Sequence, residues 1–259
     1  MHEQRIPTIL GNVSATLDEK AMGPPVVFMH GVFLDKSLWS NYGSNLTGRT
    51  HIYIDMPAHG VSSDVGRDWN LDECVTMLME VLDELKINTC IVIGHSWGSM
   101  TALRAATKFP ERFSALGLFN MPFKRTEGTR RLGFTLQKLM VVFPKFYAKQ
   151  AAKALYTRNF LLSHPEFSTQ MQERLAARPP KEIARTIDAV ILNAEDASSL
   201  IGNLHVPALA IVGEADYVGV PSGIETVKVA GGHISPHEAP SETRQAILKV
   251  LSFATRSSA

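Results

Sequence analysis

Cysteine is scarce in this 259-residue chain. Its two examples, Cys74 and Cys90, have no spacing that would hold a metal or build a disulfide framework, and they read as buried free thiols. Long apolar runs are missing too, since none approaches the ~20 residues that a membrane-spanning helix needs. The opening MHEQRIPTIL lacks the basic start, apolar stretch and small-residue cleavage site of a secretory signal, which predicts a cytoplasmic protein. An excess of one charge is also absent: 26 Lys and Arg face 25 Asp and Glu. No overall field draws the chain to nucleic acid or to a membrane, and a charged partner would have to meet a local patch. What the chain does have is apolar matter. With 45% hydrophobic and 20% charged residues, it has the composition of a soluble globular protein with a substantial core. Its length suits one main α/β domain, and no repeat or low-complexity tract divides it.

Short runs rich in Val, Ile, Leu and Phe recur at 26–29, 51–54, 90–93, 115–119, 208–212 and 226–229. Most are continuously apolar rather than alternating, as in strands buried on both faces. Between them, 72–85 and 99–108 have helical spacing. Alternating strands and helices with right-handed crossovers predict an α/β fold: a doubly wound, mostly parallel sheet with helices on both faces. An antiparallel hairpin around 9–17 is expected at one edge. The alternation stops between about 121 and 204, where helices are expected over 134–140, 146–156, 167–175 and 182–192, divided by Pro144, Pro165 and the Pro179-Pro180 pair. The expected division is a core of 1–120 and 205–259 with an inserted helical cap of 121–204.

The strongest chemical signal is Gly94-His95-Ser96-Trp97-Gly98, placed between an apolar strand and a helix. A nucleophile there sits on a strained turn, with small residues two places to either side letting the backbone make it. A serine hydroxyl needs a base to take its proton and a third group to hold the base. Asp216, after the run at 208–212, and His233, after the run at 226–229, stand in the chain order Ser, Asp, His that this strand–turn–helix motif accompanies. Each has a neighbouring rival: Glu214 for the acid, and His237 or His95 for the base. Asp55 and His59 are expected to order their own loop. The oxyanion of a tetrahedral intermediate needs backbone donors, assigned to the N–H groups of Trp97 and Val32.

With these motifs the sequence resembles the capped α/β-hydrolases over nearly its whole length. The resemblance rests on His30-Gly31 with Trp39, Asp55-Met56-Pro57-Ala58-His59-Gly60 with Ser62, Gly94 to Gly98, Gly213 with Asp216, and Gly232-His233 with Glu238 and Pro240. Within that family it is similar to small carboxylesterases, including pimeloyl-carrier-protein methyl ester esterases, and to the cofactor-free haloperoxidase group. It departs from them at Ala58, Ser99 and Val32-Phe33. The resemblance implies a serine esterase that needs no metal or organic cofactor. Thioester, amide (as in proline iminopeptidases) and carbon–carbon bond hydrolysis would use the same triad. A non-catalytic ligand receptor on the same fold is the alternative from another class.

The residues expected to touch a small-molecule ester substrate are His30, Gly31, Phe33, Trp97, Phe143, Phe146, Tyr147 and Phe160. Between 124 and 158, nine Lys or Arg face a single acid, Glu127. Such a run is either a solvated face or a means of attracting an anionic or carrier-protein-bound substrate.

Overall fold

Strands form here where no polar face is left over. All four residues of Val26–Met29 and all six of Cys90–His95 are buried. Because successive side chains point to opposite faces, both faces of the sheet must be covered. The computed structural model describes residues 1–20, 23–43, 46 and 48–256. Its eight strands are β1 His2–Thr8, β2 Gly11–Asp18, β3 Val26–Met29, β4 His51–Asp55, β5 Cys90–His95, β6 Phe113–Phe119, β7 Ala208–Gly213 and β8 Glu225–Val229. They form one sheet in the order β1-β2-β4-β3-β5-β6-β7-β8. The β1–β2 hairpin and the β2–β4 pair are antiparallel, and the other pairings are parallel. Pro7, which cannot donate to a ladder, falls on the edge strand β1.

The helices are α1 Ser40–Gly43, α2 Leu71–Glu84, α3 Trp97–Lys108, α4 Gly128–Leu139, α5 Pro144–Leu155, α6 Arg158–Ser163, α7 Glu166–Ala176, α8 Pro180–Ile187, α9 Ser198–Gly202, α10 Ser235–Glu238 and α11 Pro240–Arg256. A capping box starts α2: the Asn70 side chain accepts the Glu73 N–H, and the Glu73 carboxylate accepts the Asn70 N–H. Its apolar stripe, Cys74, Val75, Leu78 and Leu82, is buried. The segment between β6 and β7 holds α4 to α9, with no strand among its described residues. The helix expected over 182–192 is two pieces, α8 and a π-helical turn at Asp188–Leu192. Neither α6 nor α9 was expected, because six and five residues are too few to display a helical period.

The strand order reverses at β3 and β5, where Met29 lies beside Gly94. Loops leaving the carboxyl ends of the parallel strands therefore converge at one rim, the usual place for a ligand in an open α/β sheet.

Candidate active site

Ser96 occupies the turn between β5 and α3 with φ 49° and ψ −110°. A non-glycine residue in that region costs about 1–3 kcal/mol and persists only where its surroundings impose it. Two close approaches impose it here. A Cβ on Gly94 would lie 2.5 Å from the Ser99 nitrogen, and one on Gly98 would lie 2.6 Å from the Met29 carbonyl oxygen. Glycine at both places lets helix and strands close around the turn, and Ser96 N–H is tied to the Phe119 carbonyl at 2.8 Å.

His233 follows β8 and Asp216 follows β7, and the structure brings both to Ser96. The imidazole Nε2 is 2.9 Å from Ser96 Oγ, and Nδ1 is 2.9 Å from Asp216 Oδ1. Both side chains are buried. Burial opposes ionisation of Asp216, but bonds and charge from His233, the Asn120 amide and the Val218 N–H outweigh it and hold the carboxyl below its usual range. An ionised carboxylate only accepts, so Nδ1 carries the ring hydrogen, Nε2 accepts, and the serine hydroxyl donates to it.

Sequence reasoning missed Asn120. This buried residue, at φ 50° just past β6, donates from Nδ2 to Asp216 Oδ2 at 2.7 Å and to the Gly232 carbonyl at 3.2 Å. Its Oδ1 accepts the Ser235 hydroxyl at 2.6 Å. Tyr217 was missed as well: its ring stacks on His233 at 4.8 Å, and the Arg130 guanidinium lies 4.5 Å from the Tyr217 ring centre.

The rival residues stand elsewhere. His95 Nε2–H donates to the His233 carbonyl at 2.7 Å, and burial lowers its imidazole to about 3. His237 Nδ1 pairs with the Tyr156 hydroxyl at 2.7 Å, and Glu214 is exposed. Asp55 accepts the Lys36 and Val61 N–H groups, and His59 Nε2 accepts the Phe33 N–H at 3.0 Å.

Val32 and Ser96 line one cavity of about 320 Å³, together with apolar walls from Met100, Phe123, Phe134 and Val190 and the cations Lys124, Arg125 and Arg130. Val32 and Trp97, the assigned oxyanion donors, donate their N–H to no other protein group among the described residues. None of the eight residues expected to touch a substrate lines this cavity. His30 is fully buried, with Nδ1–H bonded to the Gly31 carbonyl and Nε2 accepting the Met56 N–H. Gly31 packs under His95, Trp97 stacks on Trp69, and Phe33 packs edge-on against buried Tyr147. Phe160 stacks with Tyr156 and His164, while Phe143 and Phe146 point to solvent. Those aromatics pack elsewhere or stand exposed, and residues nearer β6 line the cavity instead.

A doubly wound sheet that presents a serine on a strained strand-to-helix turn is the arrangement of the α/β-hydrolase fold. The chain belongs to the alpha/beta hydrolase fold family, whose sequence model matches residues 24–239. A pimeloyl-[acyl-carrier protein] methyl ester esterase from Methylococcus capsulatus is 25% identical over 226 residues, 85% of this chain and 87% of that one. An (E)-2-((N-methylformamido)methylene)succinate hydrolase from Acinetobacter baylyi is 28% identical over 120 residues, 46% of each. The chain spans less than half the length of the first curated relatives it matches. Among solved structures, a thermophilic esterase from Thermogutta terrifontis superposes with TM-score 0.84 at 21% identity, over 98% of this chain and 99% of that one. Among the described residues, no helix is long and apolar enough to cross a membrane, and no group of three His, Cys, Asp or Glu could hold a metal ion.

Proposed function

We propose that the protein is a serine hydrolase that cleaves a carboxylic ester through an acyl-enzyme. The observation that carries this reading is the pair of 2.9 Å contacts linking Ser96 Oγ, His233 and Asp216. Ser96 Oγ attacks the ester carbonyl as its proton passes to His233 Nε2. The tetrahedral intermediate collapses, the carbon–oxygen bond to the alcohol breaks, and the imidazolium returns the proton to the leaving oxygen. Water, deprotonated by the same nitrogen, then releases the acid. Asp216 stays ionised and holds the ring, and the N–H groups of Val32 and Trp97 face the developing oxyanion.

The cavity walls favour an acyl or aromatic group of small to medium size. Arg130 is in no ion pair among the described residues, which supports a substrate with an anionic end. The substrate named for the Acinetobacter relative, a succinate derivative, accords with that.

A fluorophosphonate probe should label the wild-type chain and leave Ser96→Ala untouched, and p-nitrophenyl esters of rising acyl length should then be hydrolysed in turn. No labelling would refute the serine reading. Labelling without ester turnover would move the bond type to thioester, amide or carbon–carbon. On a mono-p-nitrophenyl ester of a dicarboxylic acid, Arg130→Gln should raise KM roughly tenfold while the neutral ester is unaffected.

A further inference from the structure

The inner and outer faces of α4 do different work. Arg130 and Phe134, one turn apart, line the Ser96 cavity, and Lys138 continues that face to an ion pair with Asp188 at 2.7 Å. At about 3.6 residues per turn, Leu132, Leu136 and Leu139 fall on the opposite side. They are 59%, 57% and 65% exposed, and the row runs on through Val142, Phe143 and Phe146 at 60%, 61% and 50%. No residue of α4 is fully buried. Six large apolar side chains in sequence, each at least half exposed, are far from the single scattered apolar residues of an ordinary surface.

Positive charge follows the row along the chain. Lys145, Lys149 and Lys153 repeat every fourth residue on α5, are exposed, and form no ion pair among the described residues. The 124–158 stretch has nine cations against Glu127 alone. The balanced overall charge, which argued against a membrane partner, conceals this patch.

We propose that the outer face of α4 and the following turn, with the lysines of α5, docks on an anionic lipid bilayer. Apolar side chains that stand out beside a one-signed basic rim suit a fluid interface, which needs no matching groove and supplies both hydrocarbon and negative headgroups. A second copy is disfavoured, because a two-fold contact would bring the same basic patches together. Docked this way, a wall of the Ser96 cavity lies against the bilayer. Delivery of a lipid-dissolved ester to Ser96 then rests on the esterase reading, but the docking does not.

The test is co-sedimentation of the full chain with vesicles of phosphatidylcholine alone or equimolar with phosphatidylglycerol. At low ionic strength the wild type and Ser96→Ala should both bind the anionic vesicles and release them at about 0.5 M salt. Leu136→Glu with Leu139→Glu should lower binding more than tenfold, and Lys145→Gln with Lys149→Gln roughly fivefold for each charge removed. Both variants should keep the wild-type near-ultraviolet circular dichroism, which separates lost docking from lost folding even if no esterase activity exists. Absence of wild-type binding, or equal binding by the leucine variant, would overturn the proposal. So would a dimer in light scattering that the leucine variant dissolves, or binding to polyglutamate that follows the lysines without any binding to vesicles.

Discussion

At Asp216 three donors meet a carboxylate whose ionisation burial opposes: His233 Nδ1, Asn120 Nδ2 and the Val218 N–H. If Asn120 were alanine, one of the two side-chain bonds would vanish and the carboxylate would be free to turn away from the imidazole. Asn120→Ala is therefore expected to lower kcat roughly tenfold with little change in KM, since a bond to a charged group is lost without any contact to substrate. Asn120→Asp should do worse, as a second carboxylate would share the site. Steady-state kinetics on a p-nitrophenyl ester decide this, and an unchanged kcat with Asn120→Ala would remove the positioning role. Ser96 could be read from the sequence because its signal is local, five residues between a strand and a helix. Asn120 could not, because its partners lie 96 and 112 positions away and an asparagine after a strand resembles any turn residue.

Among the elements, the buried strands were legible for the same reason that they form. Residues 90–93 and 26–29 have no polar face to hide, and β5 and β3 enclose them with at most two residues added. The helical segment was harder. An apolar stripe marks a helix without saying whether it faces core, cavity or solvent, so Phe143 and Phe146 were placed at the substrate although both are at least half exposed. The strand-to-helix turn allows a sharper test. Ser96 holds φ 49° at a cost of about 1–3 kcal/mol, which glycine would not bear. Ser96→Gly should lose all hydrolysis. It should also raise Tm by about 2–4 °C over Ser96→Ala, if relief of strain exceeds the extra chain entropy of glycine. Thermal melts of the two inactive variants side by side measure this without any substrate, and equal Tm values would show that the turn is not strained.

At the scale of the whole molecule, three buried histidines tie loops around the site. His30 Nε2 accepts the Met56 N–H, His59 Nε2 accepts the Phe33 N–H beside Val32, and His95 Nε2–H donates to the His233 carbonyl. The first two must be neutral to accept. Burial lowers the three to about 4, 3 and 3 respectively. The unfolded chain protonates its histidines near pH ~6.5, so below that pH it takes up protons that the fold refuses, and stability falls as pH falls. Each histidine removes about 1.4 kcal/mol per pH unit until its own folded value is reached. By about pH 4 the three together cost on the order of 10 kcal/mol, comparable with the whole stability of a typical domain. Asp216 acts in the same sense but later: its contribution is complete above the ordinary carboxylate range and is lost only below it. Tm should therefore be level above about pH 7 and drop steeply between about pH 6 and 4.5, well before the carboxylates titrate. His237, lowered by burial to about 3 as well, shares that slope. His59→Gln, whose amide oxygen can still accept the Phe33 N–H, should therefore flatten it by about a quarter. Scanning calorimetry across the range checks both, and a Tm that stays level down to about pH 5 would mean that these imidazoles accept protons within the fold.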